Sequence, residues 1–370
     1  MQLDTVLLKV VSRCNINCGY CYVYHQGDTS WESMPKHMSL ETIEHVLDRL
    51  QELYEDQRRP FAVVLHGGEP LLLPKEILKH LLQGLKDRLP ATCTHSIQTN
   101  GILIDESLLD LCVQTETTLS VSLDGPADVH DTFRIAFNGG GTFAKVVAAI
   151  TRIRRHREAG RLFTGVLCVV NPSSDANHVY DFFKSLATPS IDFLFKDGNF
   201  SKLPSGKSSI NSTEYGQWLA SIWDRYIADP DPPRIRVLDD FGRLLLGGES
   251  TKEGCGQTLY GIAVIDTDGT VTKNDTLKSA YDRADRFTTQ WTVDKNRLSE
   301  IAASKEFAEY SALQTPTSPV CRQCSILPVC GGGMPLSRWH PETGLNNPSV
   351  YCADYKRVIG RMQETLVEDR

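Results

Sequence analysis

Short apolar runs and amphipathic stretches alternate through the first two thirds of the chain. The runs at Thr5–Val11, Ala62–His66, Ser96–Thr99, Leu119–Leu123, Gly165–Val170 and Ile191–Phe195 predict strands. Between them, Leu40–Tyr54, Lys75–Leu89, Glu106–Gln114, Phe143–His156 and Ala176–Leu186 carry apolar residues at helical spacing. Strands separated by helices of this length predict βαβ units around a parallel sheet. Right-handed crossovers bring the strand C-termini to one end, where ligands of parallel α/β folds bind. The expected fold is therefore α/β, an open, partial (β/α)6 barrel of the TIM-like kind. Past Phe195 the texture changes. Asp197–Ser212 reads as a polar loop, Thr213–Tyr226 as an aromatic-rich helix, and Asp229–Pro233 as a breaker. Ile262–Val271 predicts a hairpin turned at Asp268-Gly269, and an irregular cysteine-rich stretch follows from Val320. These changes predict a core domain over 1–230, a bridge over 231–254 and a cysteine-rich domain over 255–370.

Charge narrows the class of partner. The chain has 39 Lys and Arg against 46 Asp and Glu, a net charge of −7, so there is no global electrostatic reason to bind nucleic acid or an anionic membrane. The N-terminus runs straight into a strand with no signal-peptide pattern, and no apolar run is long enough to span a bilayer. A cytoplasmic protein is expected. In that reducing setting 11 cysteines are not a disulfide framework. Cys93, Cys112 and Cys168 stand alone and read as small core residues. The others cluster, which favours metal.

Cys14, Cys18 and Cys21 follow the first strand with Cys-x3-Cys-x2-Cys spacing. Three thiolates on so tight a loop suit three irons of a [4Fe–4S] cluster, with the fourth iron open to a chelating ligand. A zinc site completed by a residue such as His25 is the alternative. Further motifs follow the later strands: Gly67-Gly68-Glu69-Pro70, Gln98-Thr99-Asn100-Gly101, Ser122-Leu123-Asp124-Gly125, and His130 to Arg134. Together with Tyr20 before the third cysteine, this ordered set resembles the radical S-adenosylmethionine (SAM) superfamily over roughly residues 5 to 200. The resemblance implies SAM and a SAM-cleaving [4Fe–4S] cluster on Cys14, Cys18 and Cys21. It implies cofactor contacts from Tyr20, Gly67, Gly68, Glu69, Pro70, Asn100, Ser122, Asp124 and Arg134. The glycine segment would face the SAM amino group, and Ser122 and Arg134 the ribose and carboxylate.

Cys321-x2-Cys324-x5-Cys330 with a distant Cys352 resembles the SPASM extension of peptide-modifying radical SAM enzymes. In the full pattern two auxiliary clusters are bound. Here Cys255 fits the early position, but Asn274 and Met334 stand at two ligand positions of the inner cluster. Asn and Met are poor partners for a cubane beside thiolate. One auxiliary [4Fe–4S] cluster is therefore expected, on Cys321, Cys324, Cys330 and Cys352, with a four-cysteine zinc site as the alternative. Asp275 follows the lost position and, by the resemblance, is a candidate general base.

The stretches Cys255-Gly-Gln, Asp266 to Thr270, Cys330-Gly-Gly-Gly and Asn347 to Asp354 resemble maturases of ribosomal peptides that close cyclophanes. That implies hydrogen abstraction at a side-chain Cβ of a precursor peptide and bonding of that carbon to an aromatic ring. A thioether or ether link, epimerisation, or oxidation of a Cys or Ser in the manner of a sulfatase maturase are the alternatives, followed by a metal-stapled binding module without catalysis. The implied partners are the precursor peptide and an external flavodoxin- or ferredoxin-type electron donor. With no separate leader-binding domain expected, recognition is assigned to the barrel mouth, a strand edge or another protein. The helix carrying Trp218, Trp223 and Tyr226 is a candidate surface, with core packing the first expectation.

Overall fold

Ser39, Asp105 and Asp175 stand where three of the expected helices should begin, and each caps one. In the computed structural model, which describes residues 1–250 and 252–368, their side chains accept from Thr42 N, from Leu108 N, and from Asn177 N and His178 N. The strands are β1 (Thr5–Val11), β2 (Asn17–Cys18), β3 (Ala62–Gly67), β4 (Thr94–Thr99), β5 (Thr118–Ser122), β6 (Arg134–Ile135), β7 (Phe163–Val169), β8 (Ile191–Leu194), β9 (Ile262–Ile265) and β10 (Val271–Thr272). Two compact units divide the chain. The first holds Met1–Leu123, Asp131–Gly165 and Tyr260–Ser311; the second holds Asp124–His130, Val166–Leu259 and the chain from Ala312 onward.

In the first unit the strand order is β10-β9-β1-β3-β4-β5. β1 pairs in parallel with β3 (Thr5 opposite Ala62), β3 with β4 (Ala62 opposite Thr94) and β4 with β5 (Ser96 opposite Thr118). Parallel pairing requires crossovers. Helices Leu40–Gln57, Lys75–Arg88 and Glu106–Gln114 supply them, each burying one stripe, as Ile43, Val46, Leu47, Leu50 and Leu53 do. Truncating one such leucine to alanine costs about 2–5 kcal/mol. The expected hairpin forms, but it does more than turn. β9 runs parallel to β1, with Thr5 opposite Ile262, and β10 returns antiparallel to β9. Backbone donors at the edge of β1 find their partners in β9, so Tyr260–Ser311 joins the first unit although the linear division grouped it with the C-terminal cysteines.

In the second unit Val166–Val169 of β7 pairs in parallel with β8. Helix Glu214–Ile227 is a core element: Trp218 and Trp223 are buried, and their indole N–H groups donate to Ser174 Oγ and Thr365 Oγ1, both at 3.2 Å. The stretch from Val320, expected to be irregular, contains short helical turns and then the helix Cys352–Glu368. Val358, Ile359 and Met362 form its buried stripe. A fully buried ion pair, Lys207 Nζ to Asp354 Oδ2 at 2.6 Å, anchors its first turn. Cys93, Cys112 and Cys168 are buried in their units, as expected of core thiols. Among the described residues, no helix is long and apolar enough to cross a membrane.

Candidate functional site

The three N-terminal cysteines leave β1 and are held by local backbone bonds. Cys21 N donates to Cys18 O at 3.0 Å, closing the second half of the loop. β2 pairs antiparallel with β6, setting Cys18 opposite Arg134, and Gly19 N donates to Phe133 O at 2.9 Å. The Arg134 guanidinium donates to the Tyr20 hydroxyl at 2.7 Å, and the Tyr20 and Phe133 rings lie 5.8 Å apart. Cysteine, tyrosine and arginine of the motif set are thus one assembly. Burial pushes the Cys14 thiol up to about 12 and the Cys21 thiol to about 11, and the neighbouring thiols add to both shifts. Three thiols gathered on one loop form a soft donor set of the kind that fits an iron–sulfur cluster.

Glycine in the next motif answers a packing demand. A Cβ on Gly68 would stand 2.1 Å from the Tyr24 hydroxyl and 2.2 Å from Arg13 O; one on Gly67, which has φ +139°, would stand 2.1 Å from Val11 O. The two backbones touch because Gly68 N donates to Val11 O at 2.8 Å and Glu69 N to Arg13 O at 2.9 Å. Glu69 is 1 % exposed. Its carboxylate accepts from Leu71 N at 3.0 Å, Thr99 Oγ1 at 2.7 Å and Asn100 N at 2.8 Å, while burial pushes its pKa up. It caps the short turn opened by the buried Pro70 and ties the end of β3 to the end of β4. Asn100 Nδ2 in turn donates to Asn15 Oδ1 at 2.7 Å and lies 3.8 Å from Cys14 Sγ. Ser122 Oγ, at the end of β5, accepts from Gln98 Nε2 at 3.0 Å. Asp124 lies in the second unit, where its Oδ1 accepts from Val169 N at 3.1 Å.

Asp275 sits elsewhere in the first unit and is only 2 % exposed. Tyr22, next to Cys21, donates its hydroxyl to Asp275 Oδ2 at 2.8 Å, and Lys9 Nζ reaches the same oxygen at 3.3 Å. Burial opposes the Asp275 charge, but Lys9, His66, Lys278 and the Tyr22 hydroxyl outweigh it and hold the carboxyl below its usual range. Burial likewise works against the Lys9 ammonium, and Asp275, Asp266 and Asp285 more than offset it, raising its pKa. Lys278, 2 % exposed, adds Asp28, Asp266 and Asp285 within 3.5 to 3.7 Å. The sequence reading missed Lys9, Tyr22, His66 and Lys278. One signal was available, a lysine inside the apolar run Val6–Val11.

In the second unit, Cys321, Cys324, Cys330 and Cys352 are mutual neighbours. Burial raises Cys330 to about 12, with Cys352, Cys324 and Cys321 adding to the shift, and raises Cys321 and Cys352 as well. Gly332 N donates to Cys330 Sγ at 3.3 Å. Cys255 is buried beside this set, its thiol 3.7 Å from Val329 O. Met334 packs against Gly254, the residue before Cys255: a Cβ on Gly254 would lie 2.7 Å from Met334 Sδ. Asn274, in the first unit, accepts from Thr276 N and caps the turn that holds Asp275. Among the described residues, no three His, Cys, Asp or Glu side chains converge closely enough to hold a single ion.

Residues 8–183 match the family model described as the radical SAM superfamily. A cysteine-type anaerobic sulfatase-maturating enzyme of Clostridium perfringens is 24% identical over 96% of this chain and 95% of its own. A serine-type counterpart from Bacteroides thetaiotaomicron is 26% identical over 92% and 86%. Among solved structures, native anSMEcpe with bound AdoMet aligns with a TM-score of 0.84 at 23% identity, covering 99% of this chain and 98% of that one. Streptococcus suis SuiB bound to precursor peptide SuiA aligns at 0.66 and 13% identity, covering 94% and 74%. These likenesses establish the α/β fold with its mostly parallel strands.

Proposed function

We propose, for a chain whose residues 8–183 match the radical SAM superfamily, a maturase that modifies a side chain of a ribosomal precursor peptide and joins a Cβ to an aromatic ring. When bound, SAM and its cluster supply a carbon radical able to take a hydrogen atom from an unreactive C–H. Cys14, Cys18 and Cys21 would hold the cluster. Gly67 to Pro70, Asn100, Ser122, Tyr20 and Arg134 shape the SAM pocket. Within it, Glu69 and Asn100 lock the strand ends, and the Arg134 fork suits a carboxylate. Asp275, beside Lys9, would accept the proton lost when the ring regains aromaticity, and a cluster on Cys321, Cys324, Cys330 and Cys352 would supply an acceptor for the electron lost with it. Cys321, Cys324, Cys330 and Cys352 hold one auxiliary [4Fe–4S] cluster. An external flavodoxin- or ferredoxin-type donor in the cytosol supplies electrons.

Supporting this reading, Met334 stands at a ligand position of the inner cluster and packs against Gly254, while Cys321, Cys324, Cys330 and Cys352 remain together. A single auxiliary cluster is the expectation that follows. Similarity to sulfatase maturases over nearly the whole length supports a second reading, oxidation of a single Cys or Ser.

Anaerobic coexpression with a peptide encoded beside the gene, followed by tandem mass spectrometry, separates the two. The first reading expects a loss of two hydrogens, with fragmentation blocked between an aromatic residue and a partner a few positions away. An unmodified peptide, or conversion of one Cys or Ser without a link, rejects it. The same two-hydrogen loss with sulfur at the junction identifies a thioether instead, and NMR of the product assigns the bond.

A further inference from the structure

The carboxylate of Asp275 is held by one of its two oxygens. Tyr22 donates its hydroxyl to Oδ2 at 2.8 Å, and Lys9 Nζ lies 3.3 Å from the same atom. Among the described residues, Oδ1 accepts no hydrogen bond. The two anchors come from different elements of the first unit. Lys9 stands on β1. Tyr22 opens the short helix Tyr22–His25, which begins directly after Cys21 and packs against the turn Asp275–Ser279. That turn is tied down from behind. Asn274 Oδ1 accepts from Thr276 N at 3.0 Å, Asn274 N donates to the Tyr310 hydroxyl at 3.1 Å, and Lys273 N donates to Asp285 O at 2.8 Å. The backbone at Asp275 is thereby fixed, and the direction of its carboxylate is left to Tyr22 and Lys9.

The last torsion of an aspartate is broad and two-fold. An ammonium alone can bridge both carboxylate oxygens or pass from one to the other. A second donor on the same oxygen removes that freedom. We propose that Tyr22 is a positioning residue for the base: its hydroxyl pins Oδ2, so that Oδ1 is the oxygen that takes the proton, and it ties the base to the loop of Cys14, Cys18 and Cys21. This rests on the reading of Asp275 as the base of a peptide maturase. In that step the C–H bond at the linked ring carbon breaks. Its proton passes to Oδ1, its electron pair returns to the ring, and the one surplus electron goes to the acceptor that the site on Cys321, Cys324, Cys330 and Cys352 would supply. Without the Tyr22 hydroxyl, Lys9 is free to straddle both oxygens and cover the acceptor atom.

The test is Y22F in the full-length chain, loaded with iron and sulfide and given reductant, SAM and the peptide encoded beside the gene. The first readout is the ratio of 5′-deoxyadenosine released to cross-linked peptide formed. Hydrogen abstraction precedes the base, so a misdirected Asp275 should raise this ratio at least about tenfold, where a displacement of about 1 Å costs up to about 10²-fold. The second readout is pH. Burial opposes the charge on Asp275, whereas Lys9, His66, Lys278 and the Tyr22 hydrogen bond favour it. As pH falls, Y22F should therefore lose product at a higher pH than its parent. The other charged groups here are Asp266 after β9, Asp285, and Asp28 beside Lys278, and His66 stands opposite Lys9 in the β1–β3 register. H66Q isolates the imidazole. An unchanged ratio in a Y22F protein that keeps its iron, or an acid limb that H66Q moves and Y22F does not, overturns the proposal. Loss of iron from Y22F would assign the hydroxyl to the cysteine loop and overturn it too. A parent that forms no cross-linked peptide would instead fail the reading on which the inference rests.

Discussion

The two cysteine clusters of this chain meet different surroundings. Around Cys14, Cys18 and Cys21 the neighbours are polar side chains from several strand ends: Asn15, Asn100, Tyr20, Arg134 and, one layer back, Glu69. Around Cys321, Cys324, Cys330 and Cys352 the polar contact is a backbone N–H, from Gly332 to Cys330. The first set offers three thiols and a ring of groups that can turn to a ligand. The second offers four thiols. Open coordination with convergent donors suits chemistry on a bound molecule, and closed coordination suits storage of structure or charge. The difference is carried by what flanks each set, since the sulfurs alone are alike.

The sharpest way to break this contrast is C14A. SAM cleavage, followed as 5′-deoxyadenosine release after reduction, should fall below detection. Iron should drop by about four per chain while the C-terminal share stays. Cleavage that survives, or loss of all iron, would erase the distinction between the two sets.

D275N comes next. It leaves the Lys9 ammonium buried without its partner, and removing one member of such a pair costs about 3–5 kcal/mol. The folded Asp275 pKa lies below its unfolded value, so its stabilisation is present above that value and fades as pH falls through the folded one. The Lys9 pKa is raised, so its share holds below the unfolded lysine value and is lost in strong base. Denaturant melts should show the parent's extra stability across the neutral range, converging on D275N in acid. A parent and variant that melt alike at neutral pH would show that the pair contributes nothing. K9M/D275N should recover part of the stability without recovering modified peptide; if product returns, Asp275 is not the base.

E69Q is expected to cost less, about 1–3 kcal/mol, because an amide N–H replaces one acceptor facing Asn100 N or Thr99. Thermal unfolding and the SAM dissociation constant should shift together, since Glu69 holds Asn100 beside Cys14. A stability loss with unchanged SAM affinity would make Glu69 a pure fold residue. The smallest effect is expected for C255S: iron unchanged and stability within about 1 kcal/mol. A fall of several irons per chain would instead show that Cys255 ligates a second, incomplete cluster.

The core strands were readable because apolar alternation and cap residues are local properties. The same holds for Cys14, Cys18 and Cys21 and for Cys321, Cys324 and Cys330, since short spacing along the chain keeps sulfurs together in any fold of the loop. What escaped was long-range. Asp275 read as a candidate base, and it sits against Lys9 and Tyr22, more than 250 positions away in sequence. Glu69 read as an acceptor for a ligand's ammonium, and it already accepts three hydrogen bonds from the protein. Asp124 read as a cofactor contact, and its carboxylate serves the backbone of β7.

Sequence by itself determined the α/β alternation, the cysteine loop after β1 and the Cys321, Cys324 and Cys330 group, because each follows from residue type and short spacing. Tertiary structure alone decided that β9 would complete an edge of β1, that Met334 would lie against Gly254, and that Lys9 would be charged inside the protein. Its burial depends on which distant segments pack around it, and the free energy of a buried charge is set by those neighbours rather than by the residue itself.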